Sequence, residues 1–197
     1  MALRLNGQTS GYVELEAPAT AGSNTLTLPN GGGSSGQYLQ TDGSGALSWA
    51  GAGKILQVVQ GTSVTQATST ISSWAATSLA VSITPSGSSN KIAVFVSGGM
   101  NGFAGGGTSG EKMGMKIYRN IGGGGASQVE NSSSGQQVIL GANGDYSGLS
   151  INYLDSPSTT SSITYTLYFR REAGSGTASI NRDNNNQTQI IAMEVAA

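Results

Sequence analysis

Residues 151–171 read INYLDSPSTTSSITYTLYFRR, and this stretch decides the fold class. From Ile163 onward, Ile163, Tyr165, Leu167 and Phe169 alternate with Thr164, Thr166, Tyr168 and Arg170. A two-residue period sends the first set to one face of a strand and the second to the other. β-branched and aromatic residues fill nearly every position, which suits a pleated, half-buried surface. Asp155-Ser156-Pro157 ends the segment before it, because proline has no amide proton for a ladder and aspartate and serine favour turns. The stretch predicts two strands joined by a turn, a hairpin whose apolar face needs a second sheet to cover it.

Strands of the same kind recur on both sides. The pattern predicts them at 55–60, 70–84, 91–97, 113–119, 137–140, 147–154, 163–171, 178–181 and 188–195, with turn residues between them. Leu79, Val81 and Ile83 form one apolar face, Ile92, Val94 and Val96 another, and Met113, Met115 and Ile117 a third. Nowhere do apolar residues recur at helical spacing over three turns with caps at both ends. The expected fold class is all-β, an antiparallel sandwich. The glycine tracts at 98–110 and 122–125 are expected as tip loops, since no Gly-x-Gly-x-x-Gly opens a helix after a strand.

The first 53 residues differ. Short apolar segments at 12–15 and 25–28 precede Pro29 and the tract NGGGSSG, and Asp42-Gly43-Ser44-Gly45 separates Tyr38–Thr41 from Ala46–Trp49. Asp-Gly between short apolar runs is a hairpin signal. The region has too few apolar residues for a core of its own, so several chains wrapping together is the expected solution. Gly51-Ala52-Gly53 marks the boundary between a 1–53 segment and a 54–197 domain.

Composition narrows the function classes. The chain has 197 residues, 31 glycines, 10% charged residues and a net charge of −1. Such a balance argues against nucleic acid, whose phosphates need clustered Lys and Arg. No apolar run reaches the roughly 18–20 residues that span a bilayer, and the N-terminus does not resemble a signal peptide, so membrane insertion is not expected. Cysteine and histidine are absent, which removes disulfides, the Ser-His-Asp and Cys-His triads and the commonest metal ligand together. Few charges and modest side chains point to a core completed by oligomerisation.

Residues with chemical potential are few. Lys54, Lys91, Lys112 and Lys116 stand in no Ser-x-x-Lys context, and no carboxylate pair stands out for glycoside cleavage. Glu194, in an apolar terminal strand, is expected to be ion-paired with Arg170, Arg171 or Arg182 rather than catalytic. The run 181–186, NRDNNN, is expected as an Asn/Asp turn rather than a Ca²⁺ loop, because it lacks a glutamate at the twelfth position. Trp49, Trp74, Tyr146, Tyr153 and Tyr168 suit core or interface anchoring more than sugar stacking. No enzyme activity and no cofactor is expected.

The run LRLNGQTSGYVELEAPATAGSNTLTLPNGGGSSGQYLQTDGSGALSWA, about a quarter of the chain, resembles a segment of tail-fibre and other virion structural proteins of tailed phages, marine and cyanobacterial ones especially. Its marks are Leu26-Thr27-Leu28-Pro29, Gly36-Gln37-Tyr38-Leu39 and Thr41-Asp42-Gly43-Ser44-Gly45 leading to Ser48-Trp49. The segment begins here at Met1, where such fibres usually carry an attachment domain ahead of it. The remainder is similar to the jelly roll of C1q and tumour-necrosis-factor-like domains. The similarity runs through KILQVVQ at 54–60, Asn90-Lys91-Ile92, Tyr153-Leu154-Asp155-Ser156-Pro157 and Ile191-Ala192-Met193-Glu194-Val195.

Together the resemblances imply a homotrimer on the virion surface, made in the host cytoplasm. Its partners would be other phage virion proteins, of the tail or the capsid, and a host surface glycan. They imply a 1–53 segment that intertwines three chains and docks through Tyr12, Val13, Leu15, Leu26, Leu28 and Trp49. They also imply a jelly-roll trimer whose core and packing faces are formed by Ile163, Tyr165, Leu167, Phe169, Ile191, Met193 and Val195. A fibre that contacts the host and a capsid decoration trimer are the two forms of this expectation. The rival classes are a virion-borne glycan hydrolase and a secreted C1q-like lectin.

Overall fold

The computed structural model describes residues 3–197 apart from 21, 24, 52, 105–109, 130–135 and 141–145, and gives the backbone alone for 136–140. The chain divides into two compact units, 1–53 and 54–197. Ala52 of the expected boundary, the 105–109 part of the first glycine tract and the side chains of the 137–140 strand lie outside the described residues.

In the first unit, β1 (Leu3–Asn6) pairs antiparallel with β2 (Tyr12–Leu15), Leu3 facing Leu15 and Asn6 facing Tyr12. The Arg4 guanidinium reaches Glu14 Oε2 at 3.0 Å and lies 3.9 Å from the centre of the Tyr12 ring. β3 (Gln37–Thr41) and β4 (Leu47–Gly51) form the hairpin that Asp-Gly predicts. Asp42 Oδ1 accepts from the amides of Ser44 (2.8 Å) and Ala46 (3.1 Å), which closes the turn. The 25–28 segment makes only an isolated parallel bridge, Thr27 with Ala46. Among the described residues this unit supplies nothing to the buried core: Leu3, Leu5, Tyr12, Val13, Leu15, Leu26, Leu28, Tyr38 and Leu39 are 44–71% exposed.

The second unit is a sandwich of two antiparallel sheets. In chain order its strands are β5 (Ile55–Ser63), β6 (Ala67–Ser69), β7 (Ala75–Ile83), β8 (Lys91–Ala104), β9 (Glu111–Ile121), β10 (Ala126–Gln128), β11 (Gln136–Leu140), β12 (Tyr146–Asp155), β13 (Ile163–Ala173), β14 (Thr177–Ile180) and β15 (Thr188–Val195). One sheet runs β5-β15-β8, with β12 on the far edge of β8 and β14, then β6, continuing from β8 beyond β15. The other runs β7-β13-β9, with β10 and β11 sharing the far edge of β9. With the short β6, β10 and β14 set aside, the first, last, third and sixth strands form one sheet and the second, seventh, fourth and fifth the other. That is jelly-roll connectivity.

Alternation puts Leu79, Val81 and Ile83, then Met113, Met115 and Ile117, then Ile163, Tyr165, Leu167 and Phe169 on the inner face of the second sheet. They meet Ile92, Val94, Val96, Ile151, Ile190 and Ala192 from the first. Near the edge, Gly61 lets β5 and β7 approach: a Cβ there would stand 2.0 Å from the carbonyl oxygen of Ala80.

Two expectations need correction. The two strands of 151–171 do not pair with each other; β12 joins β8 and β13 joins β7 and β9, so the chain crosses between sheets over 156–162. The apolar face of each strand is satisfied from the opposite sheet, and Asp155 ties the crossing by accepting from Tyr165 Oη at 2.7 Å and Arg119 Nη1 at 2.5 Å. The glycine tract from 98 is not all loop either. Gly98 and Gly99, at φ +97° and +72°, bulge β8, after which Asn101, Gly102 and Phe103 resume pairing with β12 and β14.

Candidate ligand-binding face

Among the described residues, the side chains that alternate outward on β9 and β13 create a surface where aromatic and polar groups converge on two paired strands. Register places Lys116 opposite Tyr168, Tyr118 opposite Thr166, and Asn120 opposite Thr164. Tyr118 and Tyr168 stack with ring centres 4.1 Å apart, and Trp74, just ahead of β7, tilts against Tyr118 at 6.5 Å. Cations frame the aromatic cluster. Arg170 lies 4.5 Å and Lys116 Nζ 4.8 Å from the Trp74 ring centre, a favourable placement over a π face. Arg170 also holds Glu172, its Nε donating to Oε2 at 2.6 Å, and Lys116 donates to Gln128 Oε1 at 2.8 Å. Burial first, and then the neighbouring Tyr168, push the Tyr118 phenol above its ordinary pKa.

Beside this cluster runs an open groove of about 390 Å³, lined by Asn120, Gly122, Gly123, Ala126, Ser162, Thr164, Thr166 and Tyr168. The turn between β9 and β10 forms one wall, tied down by Gly122 N donating to Ser162 O at 3.0 Å. The side-chain oxygen of Asn120 is buried and has no hydrogen-bond partner among the described residues.

The inner polar groups are structural. Glu194 is fully buried and accepts from Gln57 Nε2 (2.6 Å), Ser86 N (2.7 Å), Ser86 Oγ (2.8 Å) and Asn90 Nδ2 (2.7 Å). Burial by itself would raise its pKa, but the hydrogen bonds from Asn90, Gln57 and Ser86 outweigh it and bring the carboxyl down to about 2. The expected ion pair is therefore corrected: neutral donors hold the charge, while Arg170 pairs with Glu172 and Arg182 with Asp183. Tyr165 is raised above its ordinary range, by burial first and then by its bond to Asp155. The 181–186 run is a turn with Asn181, Asp183 and Asn184 at positive φ. Asn181 is buried against Ser63 O, Asn101 and Thr188. Among the described residues, no three acidic side chains converge as a metal site would need.

The residues singled out in the sequence separate into three places. Ile163, Tyr165, Leu167 and Phe169 are all 0–1% exposed and pack within their own chain. Ile191, Met193 and Val195 are half-buried on the opposite, outward face of β15, where Ile191 faces Phe95 and Met193 faces Ala93 and Val58. Tyr12, Val13, Leu15, Leu26 and Leu28 are open on the first unit, whereas Trp49 is half-buried there and donates from Nε1 to Gly31 O at 2.7 Å. Of the aromatic residues, Trp74 and Tyr168 come together. Tyr146 sits under Arg182 at 4.6 Å, and Tyr153 packs on the core. Sequence reasoning considered Lys116 only as a nucleophile, and missed Tyr118 and Asn120. The signal was present, since they alternate with Met115 and Ile117, but the strand that would lie beside them was not.

No protein-family model and no curated protein matches the chain. Among solved structures, it is similar to a chain of the infectious bursal disease virus Gt strain, at 14% identity and a TM-score of 0.37, over 98% of this chain and 46% of that one. For the Gx strain of that virus the values are 14%, 0.38, 95% and 43%, and for its VP2 subviral particle 13%, 0.37, 77% and 40%. The chain thus spans less than half the length of each.

Proposed function

We propose that the chain is a non-enzymatic structural protein of a tailed-phage virion, a homotrimeric surface module that meets the host cell. The 1–53 segment would intertwine and dock to a tail or capsid protein, and the jelly roll would project outward. The carrying observation is the apolar surface left without cover. Among the described residues, nine large apolar side chains stand open on the first unit. On the second unit, Val58, Phe95 and Leu154, 43–55% exposed, lie with Ile191 and Met193 on one sheet face. Contiguous apolar faces of this kind mark association surfaces. Covering them would stabilise the assembly at roughly 25 cal/mol per Å² removed from water. No helix among the described residues is long and apolar enough to cross a membrane.

The test is mass and stoichiometry. Sedimentation equilibrium should give three times the 19.8 kDa protomer mass. A monomer at micromolar concentration would overturn the reading. Quantitative mass spectrometry of particles then separates the two forms: a few tens of copies support a fibre, whereas hundreds support capsid decoration.

A further inference from the structure

We propose that the groove between the β9–β10 turn and β13 binds a neutral oligosaccharide, with Tyr168 as its apolar contact and Asn120, Ser162, Thr164 and Thr166 as its hydrogen-bonding groups. This rests on the host-contact reading above and gives that contact a place and a ligand class. Among the described residues, the lining contains one aromatic ring, four hydroxyl or amide side chains, glycine backbone and Ala126, with no Lys, Arg, Asp or Glu.

Each feature selects among ligands. A phosphate- or sulfate-bearing ligand needs cations in the lining, and none stands among the described lining residues. The cations nearby, Lys116 and Arg170, are held to Gln128, Glu172 and Trp74. An extended peptide is recognised through a free strand edge or apolar pockets, but this groove lies across the face of two strands paired to each other and has a hydroxyl-rich floor. A saccharide meets both halves of the lining, since its hydroxyls both donate and accept while its C–H face lies on an aromatic ring. The ring is pre-set. Tyr118 stacks on Tyr168 at 4.1 Å and Trp74 backs Tyr118, so little side-chain freedom is lost on binding. The volume, about 390 Å³, falls within the range of roughly 300–1,000 Å³ typical of small-molecule sites. The groove also lies on the sheet opposite the apolar face of the sandwich assigned to association.

The experiment uses the full chain on a microarray of unsubstituted neutral oligosaccharides beside sulfated and sialylated ones, with affinities for retained glycans measured by calorimetry. Retention of a neutral glycan is expected. Tyr168→Ala should weaken it at least about tenfold. Ala126→Trp fills the groove from an exposed position, touches no core residue, and should do the same. Ser150→Ala, exposed on the other sheet, should bind as the parent does. Retention of anionic glycans only, no retention at all, or groove variants that bind unchanged would each overturn the proposal. Sedimentation of the same samples keeps the two readings apart. A trimer that retains no glycan sinks the groove alone, and a monomer with groove-dependent retention sinks the trimer alone.

Discussion

Phe169 and Phe95 carry the same side chain to opposite fates. Phe169 is buried between the sheets and Phe95 is 43% exposed on the outward face of β8. Phe169→Ala should destabilise the sandwich by about 3–5 kcal/mol through lost burial and the cavity left behind. Phe95→Ala should leave the unfolding midpoint of a dilute, dissociated sample nearly unchanged. Denaturant melts of the two variants check this, and equal losses would mean the faces are misassigned. Glu194 makes a pH-dependent prediction. Its folded pKa of about 2 lies below the ordinary 4.5, so its contribution is complete above about pH 4.5 and is lost as pH falls toward 2. Glu194→Gln should therefore melt below the parent at neutral pH, with the gap closing in acid. A gap that stays constant from pH 7 to about 2.5 would show that the charge contributes nothing. The alternation of 163–169 was visible in the sequence because it is local. The partners of Glu194 were not, since Gln57 in β5 and Ser86 and Asn90 in the turn before β8 lie 104–137 residues away in two separate segments.

At the scale of elements, the crossing from β12 to β13 is the clearest lesson in what periodicity leaves open. Two neighbouring apolar-alternating strands and a turn fit a hairpin and an inter-sheet crossover equally well; the choice rests on which strands flank them. Here β8 and β9 do, with the Arg119–Asp155–Tyr165 contact closing the crossing. Asp155→Ala would leave Arg119 and the buried Tyr165 hydroxyl unpartnered, at an expected cost of about 1–3 kcal/mol. Amide exchange should quicken first at the start of β13 and along 156–162. Faster exchange only at distant β5 would rule out this role. The extension of β8 past Gly98 was hidden for a related reason. Glycine in a strand reads as a loop until a bulge at positive φ and a paired continuation, Asn101 to Phe103, are in view.

For the whole molecule, the all-β class and the longer strands followed from alternation and turn residues, while the three-residue β6 and β10, too short to show a period, did not, and the two-sheet order follows from eight principal strands wound as a jelly roll. The candidate groove was less accessible. Trp74 and Tyr168 are 94 positions apart, and Asn120 meets Thr164 only through the β9–β13 register. The same winding places the two ends of the sandwich side by side: Ile55 pairs with Val195, and Ala196 N donates to Lys54 O at 2.7 Å. In terms of connectivity the 54–197 sandwich is thus nearly a closed ring. A short glycine bridge between its ends, with the chain reopened in the exposed 122–125 turn, would keep every strand pairing while relocating both termini to the rim of the groove.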